Sequence, residues 1–253
     1  MPQSQGASER VAIISDVHGN LTALETVLGH IKASGITRIF NLGDIVGKGP
    51  RSAAAVDRCR EVCEVAVQGN WDAEIAKGFN SGWPVGDWHR SQLDAEHLSY
   101  LAKLPGSFDF AISGRRARIF HASQSSQFDR VHEGAREQHG AMFSNTGFTG
   151  FRDEPQIVGY GDIHIAYMRN VGGRTLFNAG SVGNSLDLPL ACYAVLEGVY
   201  GAETPAPWSL NFVRLPYDIE AEIAAAKASG MPELDFYAAE LRTAVYRHAR
   251  QAK

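Results

Sequence analysis

The chain has 253 residues, of which 44% are hydrophobic and 21% charged, and its formal net charge is -4. This length can bury a large core without disulfides or structural metal, and the charge excludes bulk attraction to nucleic acid or anionic membrane. The three cysteines, Cys59, Cys63 and Cys192, follow no zinc-site or disulfide spacing. We therefore predict inert thiols in a reduced compartment and no stable nucleic-acid partner.

Residues 1–9 are polar and lack the apolar run of a signal peptide, and no apolar stretch approaches the ~20 residues that span a membrane. We expect a cytoplasmic protein whose first nine residues are disordered. The chain contains no internal repeat and no linker-like segment, so residues 1–253 are predicted to form a single domain. A homo-oligomer is compatible with this composition.

In the first third of the chain, short apolar runs alternate with helical patterns. Each strand-helix-strand crossover is typical of an α/β fold with a parallel sheet, in which ligands bind at the carboxyl ends of the strands. Asn20 is predicted to cap the first helix. The predicted strands cover 10–15, 38–42 and 62–68, and the predicted helices cover 21–31 and 52–60.

The rest of the chain mixes strands, helices and less regular segments. Gly172-Gly173 between two apolar runs predicts a hairpin, and 78–90 is predicted to be irregular. Residues 122–155 are polar without a period, which suggests an insertion on the substrate side. The remaining predictions are strands over 108–113, 117–120, 156–160, 165–171, 174–178, 191–196 and 210–215, and helices over 91–104, 218–229 and 234–250.

Five short polar motifs each follow a predicted strand, so their side chains should meet at one edge of the fold. An Asp and a His two residues apart at a strand end, as in Asp16-Val17-His18, can turn toward one point. Carboxylate and imidazole groups are good ligands for Mn, Fe, Zn or Co, and they are poor evidence for a site that binds magnesium alone. The seven candidate ligands are Asp16, His18, Asp44, Asn70, His121, Asp162 and His164.

Seven such ligands suffice for two divalent metal ions with positions left for water. Two metals roughly 3.5–4 Å apart clamp a phosphoryl oxygen and hold a water that is deprotonated near neutral pH and attacks phosphorus. Taken singly, the motifs also fit structural roles, such as a helix cap for Asp16, a turn for Asn70 or a surface position for His121. Their order and their placement at strand ends favour one metal site and a metal-dependent hydrolase.

The sequence blocks that carry these residues resemble those of the calcineurin-like metallophosphoesterases, in particular a small bacterial and archaeal phosphodiesterase branch related to diadenosine tetraphosphate hydrolases. The blocks run from Asp-Val-His-Gly-Asn through Gly-Asp-Ile-Val-Gly, Gly-Asn-Trp-Asp, Phe-His-Ala-Ser and Gly-Asp-Ile-His-Ile to Asn-Ala-Gly-Ser-Val-Gly. The resemblance implies a four-layer α/β/β/α sandwich with a dinuclear centre, and Asp16, Asp44 and Asn70 as catalytic residues. It also implies that the first metal is held by Asp16, His18 and His164, that Asp44 bridges, and that the second metal is held by Asn70, His121 and Asp162.

Two positions depart from the family pattern. The fifth block usually reads Gly-His-x-His, and here Asp162 replaces the first histidine. As a harder ligand it favours Mn or Fe over Zn, Ni or Co, unless it turns away and leaves a weak second site. The third block usually reads Gly-Asn-His-Asp, and here Trp71 replaces a histidine that protonates the leaving group. Since indole cannot exchange a proton at neutral pH, we expect slow or leaving-group-dependent hydrolysis.

Residues outside the ligand set are candidates for substrate binding. Lys48 and Arg51 follow the bridging carboxylate and either pair with phosphate oxygens or are two solvated loop charges. Candidates for the missing proton donor are His89, His132 and His139. Candidates for stacking on a nucleobase, or for packing a lid, are Phe79, Trp83 and Trp88.

The predicted substrate is a small phosphorylated or nucleotide-like molecule with a phosphodiester or phosphoanhydride bond. One alternative is a metal-bearing scaffold or regulatory module whose catalysis has decayed, which the substitution at Trp71 makes worth weighing. Another is a protein serine/threonine phosphatase, for which the chain is short and the proton-donating histidine is missing.

Overall fold

The computed structural model describes residues 6–78 and 82–246. The strands of this part of the chain are β1 (Glu9–Ile14), β2 (Arg38–Asn41), β3 (Val65–Ala66), β4 (Ser107–Ile112), β5 (Arg115–Phe120), β6 (Ile157–Tyr160), β7 (Tyr167–Val171), β8 (Arg174–Asn178), β9 (Ala191–Gly198) and β10 (Ser209–Leu215). The helices are α1 (Leu21–Ala33), α2 (Ser52–Val62), α3 (Asn70–Lys77), α4 (Pro84–Ser91), α5 (Ala95–Lys103), α6 (Ile219–Ala228) and α7 (Leu234–Thr243), with a 3-10 helix at Ala141–Phe143.

The strands form two five-stranded mixed sheets. The first has the order β10-β9-β1-β2-β3, with β1, β2 and β3 parallel, and the second has the order β4-β5-β6-β8-β7, with β5, β6 and β8 parallel. The expected four-layer α/β/β/α sandwich is confirmed as two sheets flanked by helices, and each sheet is mixed where the alternating pattern predicted a parallel one. Asn20 caps α1 as predicted, because its side chain accepts a hydrogen bond from the Ala23 N–H.

The core explains why the strands read as continuous apolar runs. In β1, Val11 and Ile13 pack into the cluster between the two sheets, while Ala12 and Ile14 pack under the helices on the other face. A strand that is buried on both faces needs apolar residues at every position. The outer face of the second sheet is covered by the connection between β5 and β6, which contributes Val131, Met142 and Phe143.

The structure corrects several predicted boundaries. A helix, α4, lies within the predicted irregular segment, because Pro84 at its first turn has the backbone angle that a helix start needs. The third strand is only Val65–Ala66, and β1 begins at Glu9, inside the segment expected to be disordered. The last helix ends at Thr243 rather than at residue 250. Residues 1–5, 79–81 and 247–253 lie outside the described residues, including the candidate Phe79.

Across residues 6–78 and 82–246, no helix has both the length and the apolar character that a membrane crossing requires. The cysteines of this region are free thiols. Cys59 and Cys192 are buried, in keeping with the predicted inert role.

Candidate metal centre

Most of the predicted ligands follow the ends of parallel strands from the two sheets, and they meet at one edge of the fold. Asp16 and His18 follow β1, Asp44 follows β2, and Asn70 begins α3 just after β3. His121 follows β5, and Asp162 and His164 follow β6. Six of the seven are at most 5% exposed, so most of the site is buried in the fold. We call these seven residues the ligand cluster, namely Asp16, His18, Asp44, Asn70, His121, Asp162 and His164.

One half of the ligand cluster consists of Asp16, His18 and His164. The two Nε2 atoms of His18 and His164 lie 3.1 Å apart. Asp16 Oδ1 lies 3.1 Å from His164 Nε2 and 3.8 Å from His18 Nε2. These three ligand atoms converge on one small region, which is the arrangement that binding of a metal ion requires.

The other half is built around Asp44, His121 and Asn70. Asp44 Oδ2 lies 3.5 Å from His121 Nε2 and 3.6 Å from His18 Nε2, so this carboxylate stands between the two halves. Asn70 Oδ1 lies 3.0 Å from His121 Nε2. Ligand atoms of Asp16, Asp44 and His121 all lie within 4.8 Å of one another. Asp44 therefore lies within reach of both halves of the cluster, as a bridging carboxylate must.

Backbone carbonyls fix the tautomer of all three histidines. His18 Nδ1 contacts Val46 O at 3.1 Å, His121 Nδ1 contacts Leu42 O at 2.8 Å, and His164 Nδ1 contacts Asn184 O at 2.5 Å. Because a carbonyl only accepts, each Nδ1 carries the proton and donates it. The lone pair of each neutral ring therefore lies on Nε2, which points into the cluster.

The donor set fits a divalent cation. With Nδ1 protonated, the Nε2 lone pairs of His18 and His164 face each other, and Asp16 Oδ1 is buried without a hydrogen bond of its own. Lone pairs and carboxylate oxygens packed this closely repel one another unless a positive charge lies among them. The surroundings of His121 also favour a positive charge. Burial opposes protonation of this ring, yet Asp44 beside it raises the pKa of His121 to about 10.

A carboxylate that the sequence analysis assigned no role holds the Asp44 loop in place. The side chain of Asp72 accepts hydrogen bonds from the backbone N–H groups of Asp44, Ile45, Val46 and Gly69 at 2.8–3.3 Å. Burial, together with the nearby charge of Asp44, raises the pKa of Asp72 to about 7. Asp72 closes the Gly-Asn-Trp-Asp block, so its place in that motif was the available sequence signal.

Backbone strain concentrates at the same residues. Asp16, His18, Asp44, Asp162 and His164 all adopt φ between 50° and 64°, the left-handed region that side chains rarely occupy. Such positions cost of order 1 kcal/mol each and persist where surrounding structure imposes them. The chain accepts this cost at five of the seven ligand positions, which is typical of a functional site.

Comparison with known proteins identifies the family of the chain. The model of the calcineurin-like phosphoesterase superfamily domain matches residues 10–199. The chain belongs to this superfamily. An uncharacterized protein of Methanocaldococcus jannaschii is 27% identical over 251 aligned residues, covering 88% of this chain and 94% of that protein. Phosphodiesterase YfcE of Escherichia coli strain K12 is 36% identical over 144 residues, covering 46% of this chain and 78% of that protein.

A solved structure extends the likeness over the whole fold. The crystal structure of a metallophosphoesterase from Sphaerobacter thermophilus superposes with a TM-score of 0.73 at 29% identity, covering 94% of this chain and all of that chain. The family resemblance predicted from the sequence blocks is thus confirmed.

In this member of the superfamily, Asp162 has a partner that the sequence did not predict. Arg130 donates to both of its carboxylate oxygens, with Nε to Oδ2 and Nη2 to Oδ1 both at 2.8 Å. Asp162 Oδ1 lies 3.9 Å from His121 Nε2, so the carboxylate faces the cluster as well as Arg130. Arg130 belongs to the segment without a period, where no sequence signal marked it.

A cavity of about 910 Å³ opens on the ligand cluster, with Asp44, Asp162 and His164 among the residues that line it. We call the other residues that line it the cavity wall; they come mainly from the α3–α4 region, the β5–β6 connection and the chain around α7. Aromatic and basic side chains of the wall include Lys48, Trp71, Trp83, His89, Arg130, His132, Phe236 and Tyr246.

The other predicted substrate-binding and proton-donor residues differ in whether they line the cavity. Lys48 lies on the wall, and its Nζ donates to Asn184 Oδ1 at 3.0 Å. Arg51 instead forms an ion pair with the buried Glu222 of α6 and is not among the described residues that line the cavity. His139 is buried away from this lining, where its Nδ1 lies 3.0 Å from Arg169 Nη1.

Proposed function

We propose that this protein hydrolyses phosphodiester or nucleotide-type phosphoanhydride bonds with the help of two divalent metal ions. The observation that carries the proposal is the convergence of three Nε2 lone pairs, fixed by backbone carbonyls, on the buried carboxylates of Asp16 and Asp44. Membership of the calcineurin-like phosphoesterases and the likeness to phosphodiesterase YfcE support the reaction class.

The proposed ligand roles divide the cluster in two. Asp16, His18 and His164 would hold one metal, Asn70, His121 and Asp162 would hold the other, and Asp44 would serve both. Metal ions bound there supply Lewis acidity and lower the pKa of water toward neutrality. Three carboxylates and an amide oxygen make a hard donor set, which favours Mn or Fe. The strained loops and Asp72 keep these side chains in register before substrate arrives.

The cavity supports a substrate with a phosphate end and an apolar or aromatic end. Its floor carries the ligand cluster, and its wall combines Lys48 and Arg130 with the rings of Trp71 and Trp83. Those two indoles pack at a centroid distance of 4.9 Å and offer a surface for a nucleobase. Because Trp71 cannot protonate a leaving group, bonds with acidic leaving groups are favoured.

The direct test is turnover of bis(p-nitrophenyl) phosphate by protein reconstituted with Mn, together with metal analysis. We expect close to two metal ions per chain and Mn-dependent hydrolysis that the Asp16→Asn variant loses. Asp153→Asn, which changes an exposed carboxylate, is the control and should keep both properties. A metal-loaded wild type that cleaves neither diesters nor dinucleoside polyphosphates would instead favour the scaffold alternative.

A further inference from the structure

Arg130 reaches the site from the β5–β6 connection and meets Asp162 just after β6. The two side chains form a parallel pair of hydrogen bonds, both 2.8 Å long. Asp162 is 4% exposed and Arg130 is 45% exposed, so the carboxylate is buried and the guanidinium reaches solvent. A fork of this kind fixes the plane of the guanidinium and its direction.

Asp162 connects this guanidinium directly to the ligand cluster. Its backbone N–H donates to Asp16 Oδ2 at 3.2 Å, and its Oδ1 lies 3.9 Å from His121 Nε2. Arg130 therefore pairs directly with one proposed metal ligand, Asp162, and that single carboxylate separates it from the others. Both Arg130 and Asp162 line the cavity in which a substrate would lie.

The guanidinium keeps donors to spare. Arginine has five N–H groups, and Asp162 takes two of them. In residues 6–78 and 82–246, no second acceptor takes the other three. A planar cation whose remaining donors stay available beside a phosphoesterase centre matches the geometry of a phosphate group.

We propose that Arg130 binds a non-bridging oxygen of the substrate phosphoryl group, and that Asp162 is the residue that positions it. The inference rests on the proposed phosphoesterase function and adds a substrate-binding residue to it. It also gives a reason for aspartate at position 162, since an imidazole could not accept two N–H groups from one guanidinium. An ionised carboxylate has about four lone-pair sites, so Asp162 can hold Arg130 and still face a metal.

The test compares Arg130→Ala and Arg130→Lys with Arg136→Ala, which removes the same charge from an exposed position of the same connection. The first readout is binding of inorganic phosphate to the Mn-loaded protein by calorimetry. We expect Arg130→Ala to weaken phosphate binding roughly 10- to 100-fold, and Arg130→Lys to recover only part, because lysine keeps the charge and loses the fork. Arg136→Ala should bind phosphate as the wild type does.

The second readout is metal content, and the third is KM for bis(p-nitrophenyl) phosphate. We expect the full metal content in both Arg130 variants and a rise in KM for Arg130→Ala. In an Asp162→Asn background, the further effect of Arg130→Ala on phosphate binding should shrink, because the guanidinium has already lost its orientation. Phosphate binding by Arg130→Ala within twofold of the Arg136→Ala control would overturn the inference, and so would loss of metal from Arg130→Ala. Absence of turnover in the wild type would count against the proposed function alone, since phosphate binding is read independently.

Discussion

The ligand cluster and the cavity wall meet at the same place but are held by different kinds of structure. Six of the seven cluster residues are almost fully buried, and backbone carbonyls of the loops that follow the strands fix the three histidines. Wall residues come from connections and short helices, and several, such as Arg130 and Phe236, are about half exposed.

This difference separates chemistry from substrate choice. A site whose ligands depend on one another through shared backbone contacts should lose its function as a unit when one member changes. A wall made of separate side chains should instead respond one contact at a time, through KM and through preference among substrates. Substitutions in the cluster and in the wall test the two sides of that division.

The largest effect is expected for Asp44→Asn, because Asp44 stands between the two halves of the cluster. Turnover should fall roughly 10³-fold or more, which is about 4 kcal/mol of activation free energy. Metal analysis should show that both metal sites lose occupancy. An Asp44→Asn protein with full metal content and activity would show that Asp44 does not bridge and that the cluster is not one unit.

The next largest effect is expected for Asp72→Ala, which leaves four buried backbone N–H groups without their acceptor. The free energy of unfolding should fall by about 3–4 kcal/mol in denaturant titrations. Asp94→Ala is the matched control, since Asp94 is an exposed helix cap worth about 1 kcal/mol. Equal losses in the two variants would mean that Asp72 does not carry the Asp44 loop.

On the wall, His89 should make the stability of the fold sensitive to acid. Burial lowers the pKa of His89 to about 4. In the unfolded chain a histidine titrates near 6.5, so between pH 6.5 and 4 the unfolded state binds the additional proton, and stability falls as pH falls. The loss attributable to His89 should reach about 3 kcal/mol at most.

The measurement is urea unfolding of the wild type and of His89→Gln over this pH range. The free energy of unfolding of the variant should fall less steeply than that of the wild type below pH 6.5, and the difference between the proteins should be constant above pH 7. Parallel curves throughout would show that His89 is not buried as a neutral ring.

Trp71→His tests the boundary between the two regions, because Trp71 adjoins the ligand Asn70 and also lines the cavity. Restoring a proton donor should speed hydrolysis of esters with poor leaving groups by roughly 10²-fold and leave activated aryl esters nearly unchanged. Trp71→Phe removes the indole without adding a donor and serves as the control. Wild-type rates that are flat across leaving-group pKa would point to another proton source, with His89 and His132 on the wall as candidates.

The cluster could be predicted from the sequence because each of its residues follows an apolar strand within a few positions. Asp16 and Asp44 need only the rule that parallel strands end at one edge. That rule needs no knowledge of distant packing, and the strand register then brings the motifs together.

The wall could not be predicted in this way, because its contacts join segments far apart in the chain. Arg130 meets Asp162 across a connection without a period, and Lys48 donates to Asn184, which is 136 residues further along. The helix at Pro84–Ser91 carries His89, yet its sequence contains two glycine or proline residues that favour a loop. Local sequence patterns do not predict contacts that depend on packing between distant segments.

The smallest predicted effect lies on the aromatic side of the wall. Trp83 lines the cavity and packs against Trp71, while Trp88 packs toward α6 and α7 and is not among the described residues that line it. Trp83→Ala should therefore raise KM for a dinucleoside polyphosphate by roughly 5- to 10-fold, about 1 kcal/mol, through loss of stacking on the base. KM for a small alkyl aryl phosphodiester should change less, since it presents less ring surface. Trp88→Ala is the control for general loosening of α4. If both variants raise KM for both substrates equally, the aromatic surface acts only in packing, and substrate preference must be sought at Lys48 and Arg130.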